Sequence, residues 1–339
     1  MRTKALVLFS GGLDSMLAVK ILEEQKISVD GVCFKSGFFE PHNALRSAEA
    51  IGLNLKIVDI GGGILKLVKN PPSGYGKNLN PCLDCHALMI KIAGQIARKE
   101  KYNIVATGEV LGQRPFSQKK EALERVKKLS GVDVLRPLSA KLLPETMVES
   151  KGLVKRGKLY SIQGRSRDKQ LELIKKFGIK KFPMPAGGCL LTDPGFCERL
   201  GLLIDYWPKF NNSDAQLIKN GRIFWLSGGS GRKILVIIGR NEKENESLKK
   251  LAQKGDFVLE LKEIAGPTAL VRNIKSRVKL PAELSIQIPA DKRLSALKMD
   301  QKQDNKNILE TAALLVGFYS KKAGGKMVGF AVVKVLNDK

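Results

Sequence analysis

A run of apolar residues at positions 4–9 ends at Ser10-Gly11-Gly12-Leu13-Asp14-Ser15, and beyond it Leu13, Leu17 and Ile21 recur at helical spacing. That pattern is a buried strand turned directly into a helix through a pair of glycines. Glycines let the backbone approach a ligand closely, and the open amides of a helix N-terminus face an anion with the helix dipole behind them. The turn is therefore a phosphate cradle. No lysine follows the glycines as in the Walker loop, so transfer of a γ-phosphate is not indicated.

The alternation continues beyond the loop. Strands are expected near 29–34, 55–60 and 103–107, and helices near 43–51 and 85–99. Such an order predicts an α/β fold with an open, largely parallel sheet, whose ligands bind outside the carboxyl ends of the strands. Gly11 and Gly108 fall at those ends. Residues 61–81, rich in Gly, Pro and Asn and containing Gly74-Tyr75-Gly76, read as a mobile active-site loop. After Gly221 the pattern changes to short strands at 222–226, 234–238, 257–261 and 268–271, which mark a second, smaller α+β domain. The expected domains are 1–202 and 221–339, joined by a linker at 203–220.

A length of 339 residues suits two such cores. The formal net charge of +26, from 59 Lys and Arg against 33 Asp and Glu, favours an anionic polymer as partner over a small molecule alone. It is unevenly spread: residues 151–185 carry eleven Lys or Arg against Asp168 and Glu172. The opening apolar run is too short for a signal peptide or a membrane span, so a cytoplasmic location without membrane contact is expected. In a reducing compartment the five cysteines are read by spacing and not as disulfides.

Asn80-Pro81-Cys82-Leu83-Asp84-Cys85-His86 precedes a helix, and Gly187-Gly188-Cys189 lies about a hundred residues later in the same domain. Two thiols at C-x-x-C spacing and a third from a glycine-rich loop suit a 4Fe–4S cluster with one iron free of protein ligands, and a helix N-terminus eases thiol deprotonation. The same residues admit a structural zinc site, with His86 or Cys197 as fourth ligand. Cys33, within an apolar strand, and Cys197 read as structural. His42 reads as a surface cap, and His86 as either a donor behind the thiols or a solvent-facing side chain.

The loop at Ser10–Ser15 resembles that of the PP-loop ATP pyrophosphatases, which cleave between the α- and β-phosphates. By that resemblance Ser10, Gly11, Gly12, Leu13 and Ser15 hold the leaving pyrophosphate, Asp14 orients it through Mg²⁺, and Thr107 and Gly108 complete the ATP site. The run Asn80–His86 followed by Ile104-Val105-Ala106-Thr107-Gly108 is similar to the thiolating branch of that family, the tRNA 2-thiouridylases and 4-thiouridine synthetases. Cys85 and Cys189 then stand at the two catalytic cysteines, Cys82 replaces a common Asp, and Glu109 replaces a His. The extra cysteine favours a cluster over a persulfide relay. Residues 222–335, through Ile238-Gly239-Arg240-Asn241, Gly255-Asp256, Ala265-Gly266-Pro267 and Tyr319-Ser320-Lys321, resemble the RNA-binding domain of the NFACT proteins, with Phe257–Glu260 where that family usually has Trp-His.

These resemblances imply an ATP-dependent tRNA uridine sulfurtransferase: the enzyme adenylates a uracil carbonyl and replaces its oxygen by sulfur, giving 4- or 2-thiouridine. Its partners are tRNA and a sulfur donor, sulfide or a cysteine desulfurase, and a homodimer is left open. Arg114, Arg165 and Arg167 in the first domain, and Arg240 and Arg272 in the second, are the expected RNA contacts, with Lys275, Arg277 and Lys279 beside them. Two other readings remain, a different PP-loop adenylating ligase with structural zinc and a noncatalytic RNA-binding translation factor.

Overall fold

The computed structural model describes residues 3–114, 116–183, 188–228, 231–274, 282–289 and 305–336. Gly187, Lys275, Arg277 and Lys279, named above, lie outside them. The chain divides into two compact units, Met1–Cys197 and Glu198–Lys339.

In the first unit β1 (Lys4–Leu8), β2 (Ser28–Lys35), β3 (Leu55–Asp59) and β4 (Ile104–Thr107) form one sheet in the order β3-β2-β1-β4, with every pair parallel. The order reverses between β1 and β4. A crevice opens at such a switch point beyond the strand ends, and the loops after these two strands carry Gly11 and Gly108. The core is built from both faces: Leu13, Leu17 and Ile21 of α1 (Leu13–Glu23) are buried against Ala5, Val7 and Ala106. Around the sheet stand α2 (His42–Ile51), α3 (Gly61–Lys69), α4 (Cys82–Lys99), α5 (Lys120–Ser130), a short α6 (Met147–Ser150) and α7 (Asp168–Phe177).

Three expectations change. Residues 61–69 are helical and not loop, because Ile64 and Val68, one turn apart, are fully buried and outweigh the poor helix propensity of Gly61-Gly62-Gly63. The helix expected from Cys85 begins at Cys82, so both thiols sit in its first turn. Residues 203–220 are not an open linker: α8 (Pro194–Tyr206) runs into them, α9 (Asn212–Leu217) lies within them, and Phe210, Leu217 and Ile218 are buried.

The second unit holds a six-stranded antiparallel sheet in the order β5-β6-β8-β7-β10-β9, formed by β5 (Arg222–Ser227), β6 (Lys233–Ile238), β7 (Phe257–Leu261), β8 (Ala269–Arg272), β9 (Glu283–Gln287) and β10 (Met327–Lys334). The apolar face of α11 (Asn305–Tyr319), with Ile308, Ala312, Leu315 and Val316 buried, covers this sheet, while α10 (Glu242–Leu251) connects β6 to β7. No helix among the described residues is long and apolar enough to cross a membrane.

Candidate active site

At the switch point two backbones touch. Gly11 has φ +78°, and a Cβ on it would stand 2.5 Å from the backbone of Asn43 and Ala44; a Cβ on Gly108 would stand 2.5 Å from the backbone of Asp14 and Ser15. Neither loop can move aside cheaply, because both contacts are main chain. Ser47 Oγ donates to the Gly11 carbonyl at 2.8 Å, and Ser15 Oγ to the Gly12 carbonyl at 2.7 Å, which fixes the turn. Gly12, the residue capping α1, makes no side-chain cap, so the amides of Leu13 and Asp14 have no acceptor within the described residues. Anion binding is what such a helix end offers. Gly108→Ala should destabilise the fold by roughly 1–3 kcal/mol or more, read as a lowered urea midpoint with an unchanged m-value, whereas Gly62→Ala, where nothing lies within 4 Å, should not.

Asp14 is held by two amides that sequence reasoning did not assign. Gln113 Nε2 donates to one carboxylate oxygen at 3.1 Å, and Gln170 Nε2 to the other at 3.3 Å. Gln170 is fully buried on α7, and its Oε1 has no hydrogen-bond partner. A signal existed: Gln170 shares a helical face with Leu173, Ile174 and Phe177, and a polar residue on an apolar stripe needs a partner. The carboxylate is thereby aimed beside the open amides.

The three cysteines gather at the same end of the sheet. Asp84, buried in the first turn of α4, accepts from Ser73 N at 2.9 Å and Ser73 Oγ at 2.6 Å, which folds residues 70–80 back over the turn. Asn80 Nδ2 donates to Cys82 Sγ at 3.2 Å. The Cys189 segment is tied in by Leu190 N to the Phe38 carbonyl at 2.9 Å and by Asn78 Nδ2 to the Thr192 carbonyl at 2.9 Å. Burial, then the charges of Cys189, Cys82 and Asp84, push the Cys85 thiol far up. Burial likewise lifts Cys189 to about 11; the Leu191 amide and Arg114 oppose the rise, while Cys82 and Cys197 add to it. The three thiols thus feel one another's charge.

The easier deprotonation expected from the helix N-terminus is overturned for Cys85, because desolvation and like charge outweigh the dipole. A bound cation would favour the ionised forms of Cys85 and Cys189. No group of three or more His, Cys, Asp or Glu side chains among the described residues is arranged to hold a metal ion. The donor set, two thiols in the first turn of α4 and a third from the Cys189 segment, fits in kind a cluster that takes one thiolate per iron. Cys33 and Cys197 are both buried, the latter with its thiol 3.2 Å from the Leu191 carbonyl.

Behind the thiols lies an ionic network. Glu109 Oε2 accepts from Arg136 Nε at 3.0 Å and Thr107 Oγ1 at 3.1 Å, and Glu109 Oε1 lies 3.0 Å from His86 Nδ1. Burial alone would raise the Glu109 carboxyl, but Arg136, His86 and Thr107 overcome it and hold it at about 2, against an ordinary 4.5. Thr107 spends its hydroxyl here, and His86 faces the network. A carboxyl depressed in the folded state stabilises the fold fully above its unfolded value and loses that contribution as pH falls towards its folded value. Wild-type protein should therefore be more stable than Glu109→Gln above the ordinary carboxyl value of 4.5, and the margin should shrink between 4.5 and about 2, as read by urea midpoints across that range.

The arginines part company. Arg114 is exposed and close enough to Cys189 to lower its pKa; Arg165 is exposed and Arg167 half-buried at the start of α7. Arg240 is paired with Glu244, its Nε 3.0 Å from the carboxylate. Arg272 is the correction: it is buried, bound to Asp256 at 2.6 Å and to Asp214 at 2.8 Å, so its charge is consumed inside the second unit and faces no phosphate.

Residues 1–142 match the family model described as thiamine biosynthesis protein (ThiI), and residues 221–306 match that of the NFACT protein RNA binding domain. A probable tRNA sulfurtransferase of Natranaerobius thermophilus is 32% identical over 145 residues, 40% of this chain and 35% of that protein. The corresponding protein of Anoxybacillus flavithermus is 29% identical over 146 residues, with the same coverage of 40% and 35%. The chain spans about a third of the length of the curated relatives it matches. Among solved structures, a 4-thiouridine synthetase in complex with RNA and bound ATP overlaps 63% of this chain and 53% of its own at 21% identity and a TM-score of 0.36. The chain therefore carries a ThiI-type segment at residues 1–142 and, after it, an NFACT-type segment at residues 221–306.

Proposed function

We propose that this chain is an ATP-dependent tRNA uridine sulfurtransferase. One observation carries the reading: the segment after β2 reaches the two halves of the site, the backbone of Asn43 and Ala44 standing against Gly11 of the phosphate loop and the Phe38 carbonyl accepting from Leu190 N beside Cys189. Nucleotide activation and sulfur chemistry then share one crevice.

A carbonyl oxygen of uracil leaves only after it is turned into a good leaving group. Attack of that oxygen on the α-phosphorus of ATP forms the O–P bond and expels pyrophosphate, whose charge the amides of Leu13 and Asp14 and the turn at Gly11-Gly12 would receive. The Asp14 carboxylate would orient pyrophosphate through Mg²⁺, its direction set by Gln113 and Gln170. Sulfur then bonds to the activated carbon, and the C–O bond breaks to release AMP. A 4Fe–4S cluster on Cys82, Cys85 and Cys189 would supply an iron free of protein ligands, open to exogenous sulfide. Arg114, Arg165 and Arg167 would meet tRNA phosphates at the mouth of this site. Pyrophosphate release from ATP should depend on tRNA; release at the same rate with a small carboxylate and no RNA would favour another adenylating ligase.

A further inference from the structure

β5 is the outer strand of the second unit's sheet, and its residues from Arg222 to Trp225 are half-buried on both faces. On the face turned towards the end of α8, Trp225 packs edge-on against Tyr206 and Trp207, with ring centroids 5.0 and 5.1 Å apart. Tyr206 remains 37% exposed. Lys233 Nζ sits 5.0 Å over the Tyr206 ring and accepts no carboxylate; it donates to Ser227 Oγ at 3.0 Å. Arg240, Lys249, Lys262 and Arg272 of this unit pair with carboxylates, and Lys233 has no acidic partner among the described residues.

We propose that this patch, Tyr206 and Trp225 with Lys233, binds an unpaired stretch of RNA. The proposal rests on the RNA-binding part of the reading above and gives it a surface, in place of Arg240 and Arg272, whose charges are already met. A base has two apolar faces and a charged backbone; an exposed ring beside an unmatched cation satisfies both, which is how sequence-tolerant single-strand sites are built. A double helix hides its base faces in the stack and offers only phosphates. Unpaired RNA is therefore the occupant that uses the rings as well as the charge.

The chain contains two tryptophans, Trp207 and Trp225, and both lie in this cluster, so its tryptophan emission reports on this patch alone. The test uses the full chain and an oligouridylate, labelled for anisotropy and unlabelled for emission. Saturable quenching should occur at the same midpoint as the anisotropy change, and a duplex RNA of equal length should not quench. Tyr206→Ala should weaken oligouridylate binding about 10-fold, Tyr206→Phe should restore it, and Lys233→Gln should weaken it and flatten its salt dependence. Anisotropy showing bound RNA with unchanged emission, or equal affinity in Tyr206→Ala and wild type, overturns the proposal. Should tRNA-dependent pyrophosphate release persist in that case, the catalytic reading stands without this surface; absence of any RNA binding removes both.

Discussion

Asp14→Ala is expected to reduce release of AMP and pyrophosphate by at least about 10²- to 10³-fold, the cost of removing a preorganised electrostatic group from such a site. Asp14 lies on the first turn of α1 but outside its apolar stripe, with its carboxylate oxygens given to Gln113 and Gln170. The substitution leaves the buried Gln170 amide without an acceptor, which costs about 1–3 kcal/mol. Asp14→Asn separates the two effects, because its side-chain oxygen can still accept from Gln170 while the charge is gone. Both variants should lose activity, and the Asn variant should melt closer to wild type. Retained pyrophosphate release in either would show that Asp14 does not act on the leaving group.

Single Cys→Ala substitutions at 82, 85 and 189 should each abolish thiolation and the iron content and visible absorbance of anaerobically reconstituted protein, yet spare ATP-dependent adenylation. The thiols lie on separate segments, the first turn of α4 and the loop held to Phe38, so losing one leaves the phosphate loop untouched. Cys85 and Cys189 resist ionisation through burial and their neighbours' charge, so a bound cluster would offset that cost. Cys33→Ala and Cys197→Ala should keep iron and activity, since these thiols are buried against main-chain carbonyls, those of Phe34 and Leu191. Stoichiometric zinc with full thiolation, or a cluster that survives Cys189→Ala, would replace this account with a persulfide relay between Cys85 and Cys189.

The parts of the molecule that were legible in the sequence are those whose signal is local. An apolar run, two glycines and a helical stripe at Leu13, Leu17 and Ile21 are enough to place the glycine turn between β1 and α1, and the C-x-x-C spacing is enough to group Cys82 with Cys85. What stayed hidden depends on contacts distant in the chain. Gln170 meets Asp14 across 156 positions, and Arg272 is neutralised by Asp214 and Asp256, 58 and 16 positions away. A basic residue in a basic run looks exposed until its strand is seen to be buried throughout, as β8 is. The three glycines opening α3 misled for the converse reason: local propensity is weak beside the burial of Ile64 and Val68.

The central claim is tested most directly by incubating the anaerobically reconstituted chain with ATP, Mg²⁺, sulfide and unmodified tRNA, then digesting the RNA and weighing its nucleosides by mass spectrometry. The account predicts a thiouridine that appears only when ATP and sulfide are both present and is lost with Asp14→Ala and Cys189→Ala. Uridine left unchanged while ATP is still cleaved to AMP would contradict it, by placing the activated oxygen on something other than tRNA.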